Sequence, residues 1–325
     1  MRVVVDTYIP FLQDALTHLG MEVVALEPAA ITYDTVRDAE ALFVRTRTHV
    51  DAQLLDNTAV RFVATATIGT DHIDDAYLDQ KGIFWTSAPG CNAQAVCDYV
   101  EESIAEFLLS RPTPADTTNI PVVGIIGCGH VGSKVHAMVE RKGWKTLIND
   151  PLKGYFTDLE TIASTADIIT FHTPLTLEGQ YKTYHLCDAA FLAHCRPHTL
   201  IINAARGGIV DEQALLSAHT TRHISYILDT WENEPNLQHN VLQHALGASY
   251  HIAGYSIEGK INASQQVLDA FCRFFQFAPC VIDKKAVSLQ ADAGDSQCGW
   301  IQRITQQLKA QPEDFELLRK HYALR

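Results

Sequence analysis

Positive charge is what this chain has least of: 25 Lys and Arg stand against 38 Asp and Glu, a formal net charge of −13. Such a balance argues against nucleic acid as a partner, because phosphate backbones are held by clustered Lys and Arg. A small anion is not excluded, since it needs only a few local cations. No apolar run approaches the roughly 20 residues that span a bilayer, so no membrane partner is expected. The opening Met1-Arg-Val-Val-Val-Asp6 reads as a short strand and not as a signal peptide. The eight cysteines are scattered without a Cys-x-x-Cys pair. That spacing offers neither a disulfide framework nor a metal site, and it fits reduced, buried thiols in a cytoplasmic protein.

A chain of 325 residues is long enough for two cores. Its first 90 residues alternate short apolar runs (Val3–Val5, Glu22–Leu26, Ala41–Val44, Arg61–Ala64, Ile83–Trp85) with helical spacing (Phe11–Leu19, Leu54–Leu55, Ile73–Leu78). After a long amphipathic helix at Asn92–Ser110 and a proline-rich linker at 111–121, a second alternation runs from Val122–Ile126 to Ile224–Leu228. Each alternation predicts an α/β unit with a parallel sheet covered on both faces, the second one doubly wound. A further helix at Asn262–Phe277 has apolar positions suited to return the chain to the first domain. A polar stretch, Ala291–Gln297, and a short helical pattern ending at Tyr322 close the sequence.

Gly127-Cys128-Gly129-His130-Val131-Gly132 follows the run Val122–Ile126 and opens a helix. The acidic Asp150 comes about 20 residues on, after another strand, and that context makes the glycine pattern specific. The glycines permit a tight turn and close approach of backbone to a pyrophosphate at the helix N-terminus. Asp150 would accept ribose hydroxyls and repel a 2′-phosphate, which favours NAD, although nearby Lys153 keeps NADP in view.

Three further segments, each behind an expected strand, carry Arg206, Glu234 and His251. Oxidising a 2-hydroxy acid requires a base for the hydroxyl proton, and His is suited near neutral pH. A carboxylate behind the ring orients it and stabilises the imidazolium. A guanidinium forks onto the substrate carboxylate in a way Lys cannot. His251 is therefore the acid/base candidate, Glu234 its partner and Arg206 the clamp. The plainer alternatives are that Arg206 caps Gly207–Gly208 and that Glu234, before Pro235, is a turn residue.

The glycine loop, His172-Thr-Pro-Leu-Thr, Asn203-Ala-Ala-Arg-Gly-Gly, Asp229-x-x-x-x-Glu-Pro and His251 together resemble the D-isomer-specific 2-hydroxyacid dehydrogenase family over about residues 1–280. The resemblance implies a Rossmann NAD domain (96–256) inserted into a flavodoxin-like substrate domain (1–95 and 257–283). It also implies a short dimerisation-type segment (284–325), and hence a homodimer. Val44-Arg-Thr-Arg-Thr, Ala64–Asp74, Ala88–Val96 and His251–Lys260 point to a branch of the family acting on a small phosphorylated 2-hydroxy acid. Carried over by position, Arg206, Glu234 and His251 are catalytic. Thr46, Thr67 and Tyr255 contact substrate, while Thr173, Asp229 and Gly254 join Asp150 and the glycine loop at NAD. Arg45, Arg47 and Lys260 are candidate cations for the phosphate, with simple solvation as the alternative.

Three departures from the branch stand out. Thr46 replaces Ser, keeping the hydroxyl. Ser249-Tyr250 replaces Thr-Pro before the histidine, which predicts a looser turn. The chain ends at Arg325, where the branch runs on into a longer C-terminal domain. Competing readings are another D-2-hydroxyacid dehydrogenase, for glycerate, glyoxylate or 3-phosphoglycerate, and an NAD-sensing binding protein like the family's corepressors.

Overall fold

The computed structural model describes residues 1–110, 120–282 and 299–323. Most of the proline-rich linker and the polar stretch 291–297 lie outside these residues. By contact the chain divides into two compact units, one beginning with Met1–Asn92 and resuming at Tyr255, the other built on Ala93–Gly254 and the C-terminal residues.

The first unit holds five parallel strands, β1 (Arg2–Asp6), β2 (Glu22–Leu26), β3 (Ala41–Val44), β4 (Phe62–Thr65) and β5 (Phe84–Thr86), in the order β2-β1-β3-β4-β5. Between them run α1 (Leu12–His18), α2 (Tyr33–Val36), α3 (Ala52–Leu55) and α4 (Asp75–Lys81). Strands β3 and β4 are buried along their whole length, as expected of strands covered on both faces. The ladder pairs Val44 with Thr65 and Ala64 with Thr86. Strands β4 and β5 therefore begin and end one residue later than their apolar runs suggest, because the neighbouring strand sets the register.

The second unit opens on α5 (Ala93–Ser110) and contains β6 (Val122–Ile126), α6 (His130–Arg141), β7 (Lys145–Asp150), β8 (Tyr155–Phe156), α7 (Leu159–Thr165) and β9 (Ile168–Phe171). It continues with α8 (Ala189–His194), β10 (Leu200–Asn203), α9 (Glu212–Arg222), β11 (Ser225–Leu228), α10 (His239–His244) and β12 (Gly247–Ala248). The strand order is β12-β11-β10-β9-β6-β7-β8, parallel except for the β7–β8 pair. Chain order reverses between β6 and β9 here, and between β1 and β3 in the first unit. The loops leaving these strands line the crevices where open α/β sheets take ligands. Part of the acidic excess caps helices. Asp51, Asp74, Asp158, Asp188 and Asp211 each accept a first-turn backbone N–H, satisfying donors that a helix leaves unpaired.

Helix α11 (Ile257–Phe274) belongs to the first unit. It starts five residues before its apolar spacing becomes visible, because Ser256 caps it and its first turn carries Glu258, Gly259 and Lys260. Its Phe271 ring packs 5.5 Å from Phe43 and 5.6 Å from Phe62, inside one cluster with Val3, Val5 and Leu16. The C-terminal helices α12 (Trp300–Ala310) and α13 (Phe315–His321) belong to the second unit. No described helix is long and apolar enough to cross a membrane.

Candidate active site

The glycine loop leaves β6 at the reversal point of the second sheet. Gly127 has φ 90, and a Cβ there would lie 2.7 Å from the carbonyl oxygen of His172. A Cβ on Gly132 would strike the carbonyl oxygen of Gly127, so only glycine lets α6 start this close to the strand. Beside Gly129 the space is open, and there the first turn of α6, from His130 through Val131 to Gly132, offers backbone N–H groups to an anion. Asp150 ends β7, and its Oδ2 accepts the Cys128 N–H at 2.7 Å. That bond ties the carboxylate to the loop and leaves its other oxygen for a ribose hydroxyl.

Across the loop, Thr173 Oγ1 and His172 Nδ1 are shielded from solvent and have no hydrogen-bond partner among the described residues. Buried polar atoms rarely stay unpaired, and these two flank Gly127. Although His172 keeps some surface elsewhere, burial of its ring pushes its pKa down to about 3, so the wall it forms is neutral. Open space beside Gly129, unpaired donors and acceptors, and a tethered acid all fit a dinucleotide.

The chemistry residues lie on loops after β10, β11 and β12. Arg206 follows β10. Its Nη1 donates to the Ala205 carbonyl at 2.8 Å, its own carbonyl accepts the Asn203 amide, and it has no carboxylate partner among the described residues. Gly207, beside it, presses on the Trp231 carbonyl so closely that no side chain fits, which brings the arginine loop against the loop carrying Glu234. Glu234 Oε1 accepts the Trp231 N–H at 2.9 Å, and Oε2 lies 2.9 Å from His251 Nδ1. A carboxylate in this role only accepts, so Nδ1 is assigned the proton and Nε2 is left with its lone pair outward. That is the tautomer a general base needs.

His251 sits at φ 60, a left-handed conformation costly for a residue with a side chain. The Ser249-Tyr250 replacement predicts a loose turn here, and the structure overturns this. Asp229 Oδ1 accepts Ser249 Oγ at 2.7 Å and the Ile252 N–H at 2.8 Å, while Oδ2 accepts the Ala253 N–H at 3.0 Å. The Asp229 carbonyl takes the His251 N–H at 2.9 Å. Tyr99 OH lies 2.9 Å from Ser249 Oγ, and Trp231 Nε1 donates to the Ser249 carbonyl. Tyr250 is itself buried. Hydrogen bonds do here what a proline ring would do by covalent restraint. Asp229, expected at NAD, is thus committed largely to the turn, with room for one more bond at Oδ2. Gly254 ends the same loop.

The first unit gathers a second set at the reversal point of its own sheet. Buried Asp6 ends β1, and its Oδ2 receives Arg45 Nε at 3.2 Å just after β3. The Arg45 guanidinium also stands 5.0 Å over the Tyr8 ring. Thr46 is exposed beside it. Thr67, after β4, is held through Thr65 Oγ1 at 2.7 Å, which in turn meets His72 Nε2 at 2.9 Å. Tyr255 is half-buried just before α11, whose first turn carries Lys260. Partial desolvation of its ammonium, and then the like charge of Arg45, pull Lys260 below the ordinary lysine value.

Sequence reasoning missed Tyr99 and Glu212, and read Ser249 only as part of a loosened turn. Glu212 is nearly inaccessible, accepts the Glu232 N–H at 2.7 Å and the Gln238 amide at 3.2 Å, and so brackets the loop bearing Glu234. A charged residue at the start of α9, behind its cap Asp211, reads as an ordinary first-turn acid, and only burial distinguishes it.

A doubly wound dinucleotide unit with a carboxylate-backed histidine and a guanidinium that has no carboxylate partner among the described residues defines a nicotinamide-dependent dehydrogenase. The model of the D-isomer specific 2-hydroxyacid dehydrogenase NAD binding domain matches residues 109–252. An erythronate-4-phosphate dehydrogenase of Bacteroides thetaiotaomicron is 39% identical, with 100% of this chain and 97% of that protein aligned. The enzyme of that name from Klebsiella pneumoniae is 40% identical over 84% of this chain and 73% of its own. A 3-phosphoglycerate dehydrogenase structure from Entamoeba histolytica superposes with a TM-score of 0.69 at 24% identity, covering 85% of this chain and 95% of that one; identity this low speaks for the fold alone. The chain belongs to the D-isomer-specific 2-hydroxyacid dehydrogenase family and is an NAD-dependent oxidoreductase. The aligned part spans 97% of the Bacteroides protein and 73% of the Klebsiella one.

Proposed function

We propose that the protein oxidises 4-phospho-D-erythronate to (R)-3-hydroxy-2-oxo-4-phosphooxybutanoate, a step of pyridoxal 5′-phosphate biosynthesis. The observation that carries this reading is the His251–Glu234 pair at 2.9 Å, in a chain aligned end to end with an erythronate-4-phosphate dehydrogenase. His251 Nε2 takes the proton of the C2 hydroxyl, and Glu234 stabilises the imidazolium that results. Arg206 holds the substrate carboxylate and favours charge building on the C2 oxygen. NAD, when bound, accepts the hydride leaving C2. The loop 127–132, Asp150, Thr173, Asp229 and Gly254 hold the cofactor.

In the first unit, Thr46, Thr67 and Tyr255 offer hydroxyls suited to a polyhydroxylated acid. Arg45 and Lys260, with Arg47 as a third cation, take the phosphate. A dianion offsets both the desolvation and the repulsion from Arg45 that lower the pKa of Lys260. We place the enzyme in the cytoplasm, where its seven described cysteines, none in a disulfide, are at home. On the family resemblance we assign it as a homodimer, which light scattering would test.

The deciding experiment is turnover of phosphoerythronate, glycerate and 3-phosphoglycerate by the purified enzyme with NAD and a 2-oxo-acid acceptor. Phosphoerythronate should have the highest kcat/KM. If phosphoerythronate is not turned over faster than glycerate or 3-phosphoglycerate, the substrate assignment fails. His251→Ala should lower kcat by about 10²–10⁴-fold, and unchanged turnover would remove the mechanism.

A further inference from the structure

The stretch from Gln243 to Tyr250 leads directly into His251, and residues 301–322 grip it along its length. Strand β12 is the edge of its sheet, where backbone N–H and C=O groups lack a neighbouring strand. Thr305 of α12 supplies the missing partner. Its Oγ1 accepts the Ala248 N–H at 2.8 Å and stands 3.2 Å from the Ala248 carbonyl. One residue earlier, Gly247 lies flat against Ile301, where a Cβ would come within 2.9 Å of the isoleucine side chain. Before the strand, Lys309 Nζ donates to the carbonyls of Gln243 and Ala245, at 3.0 and 2.8 Å, and closes the end of α10. After it, the Tyr250 ring meets Tyr322 edge-on, with centroids 5.9 Å apart.

We propose that the C-terminal helices are a clasp that holds His251 in its proton-accepting pose, with Thr305 and Tyr322 as positioning residues. This rests on the assignment of His251 as the base. The left-handed backbone of His251 persists only while its surroundings over-determine it. Asp229 fixes the turn from inside the sheet, and Thr305 and Tyr322 fix the two residues on either side of Ser249 from outside. Loosening either contact lets the ring drift from Glu234, and misplacements of this kind are costly in rate even when made far from the chemistry.

The test uses the full chain with Thr305→Val, Thr305→Ser, Tyr322→Ala and Tyr322→Phe. Each is followed by kcat and KM across pH, by NAD affinity from fluorescence titration, and by the low-field NMR proton of the His251–Glu234 bond. Thr305→Val and Tyr322→Ala should lower kcat by roughly ten- to a hundredfold, move the acid limb of the pH profile and weaken the low-field proton. NAD affinity should stay within about twofold of wild type. Thr305→Ser and Tyr322→Phe, which keep the hydroxyl and the ring, should restore wild-type behaviour. If Thr305→Val and Tyr322→Ala fold with unchanged kcat and pH profile, the clasp is refuted. It is refuted equally if kcat falls only in step with NAD affinity. An active His251→Ala would instead overturn the assignment of the base, so the two failures are distinguishable.

Discussion

Glu212 accepts the backbone N–H of Glu232 at 2.7 Å, and it does so from a site almost closed to water. Desolvation raises its pKa above the ordinary carboxylate value of 4.5, with the nearby charges of Glu232 and Glu234 adding to the effect. For a carboxylate, a folded pKa above the unfolded one means that ionisation works against folding. This cost is present at neutral pH and disappears as pH falls through the folded pKa to 4.5. Glu212→Gln keeps an acceptor for Glu232 without the charge, so it should be at least as stable as wild type at pH 7. Glu212→Ala strands that N–H and should lose about 1–3 kcal/mol. Urea unfolding of both variants at pH 7 and pH 5 checks this.

His172 titrates in the opposite direction. Its folded pKa of about 3 lies below the ordinary 6.5, so the unfolded chain takes up a proton that the folded one refuses. Stability from this residue is complete above pH 6.5 and drains away as pH drops towards 3. His172→Gln should flatten the fall in Tm between pH 6.5 and pH 4.5, as measured by calorimetry. An unchanged slope would show that the ring is hydrated.

Asp150 joins the cofactor loop to the expected ribose position through Cys128. Asp150→Asn keeps the size and removes the charge. It should raise KM for NAD by roughly ten- to a hundredfold, the range for losing a charge-assisted hydrogen bond. The preference for NAD over NADP should narrow at the same time. Parallel titrations with the two cofactors read both effects.

Glu234→Gln preserves a hydrogen bond to Nδ1 but not the charge that stabilises the imidazolium. We expect kcat to fall by about 10²-fold or more with little change in KM, the pattern of an interaction made in the transition state. A rise in KM at constant kcat would assign Glu234 to binding.

Continuous apolar runs and backbone-driven motifs were legible in the sequence. Strands Glu22–Leu26, Ala41–Val44, Val122–Ile126 and Ile168–Phe171 appear with the bounds their apolar runs imply. The glycine loop is where its spacing put it, because glycine's role there is local geometry. The pairing of His251 with Glu234 was readable as chemistry, though not its distance. Strands β8 and β12, of two residues each, and helices α8 and α10, of six, are too short to show the period of their kind. The firmness of the His251 turn was hidden for another reason. Its restraints come from Tyr99, 150 residues away from Ser249, and from Asp229, 20 away. A local reading of Ser249-Tyr250 sees only the missing proline.

The aromatic cluster of the first unit sets an order on synthesis. Phe43 and Phe62 emerge from the ribosome early, while Phe271, which packs against both, follows some two hundred residues later. Residues Ala93–Gly254, the larger part of the dinucleotide-binding unit, lie in between. The half that begins the chain must therefore wait, with its sheet face bare, until α11 arrives. A fragment ending at Asn92 should be sticky on its own, and supplying the helix of residues 257–274 in trans should quiet it.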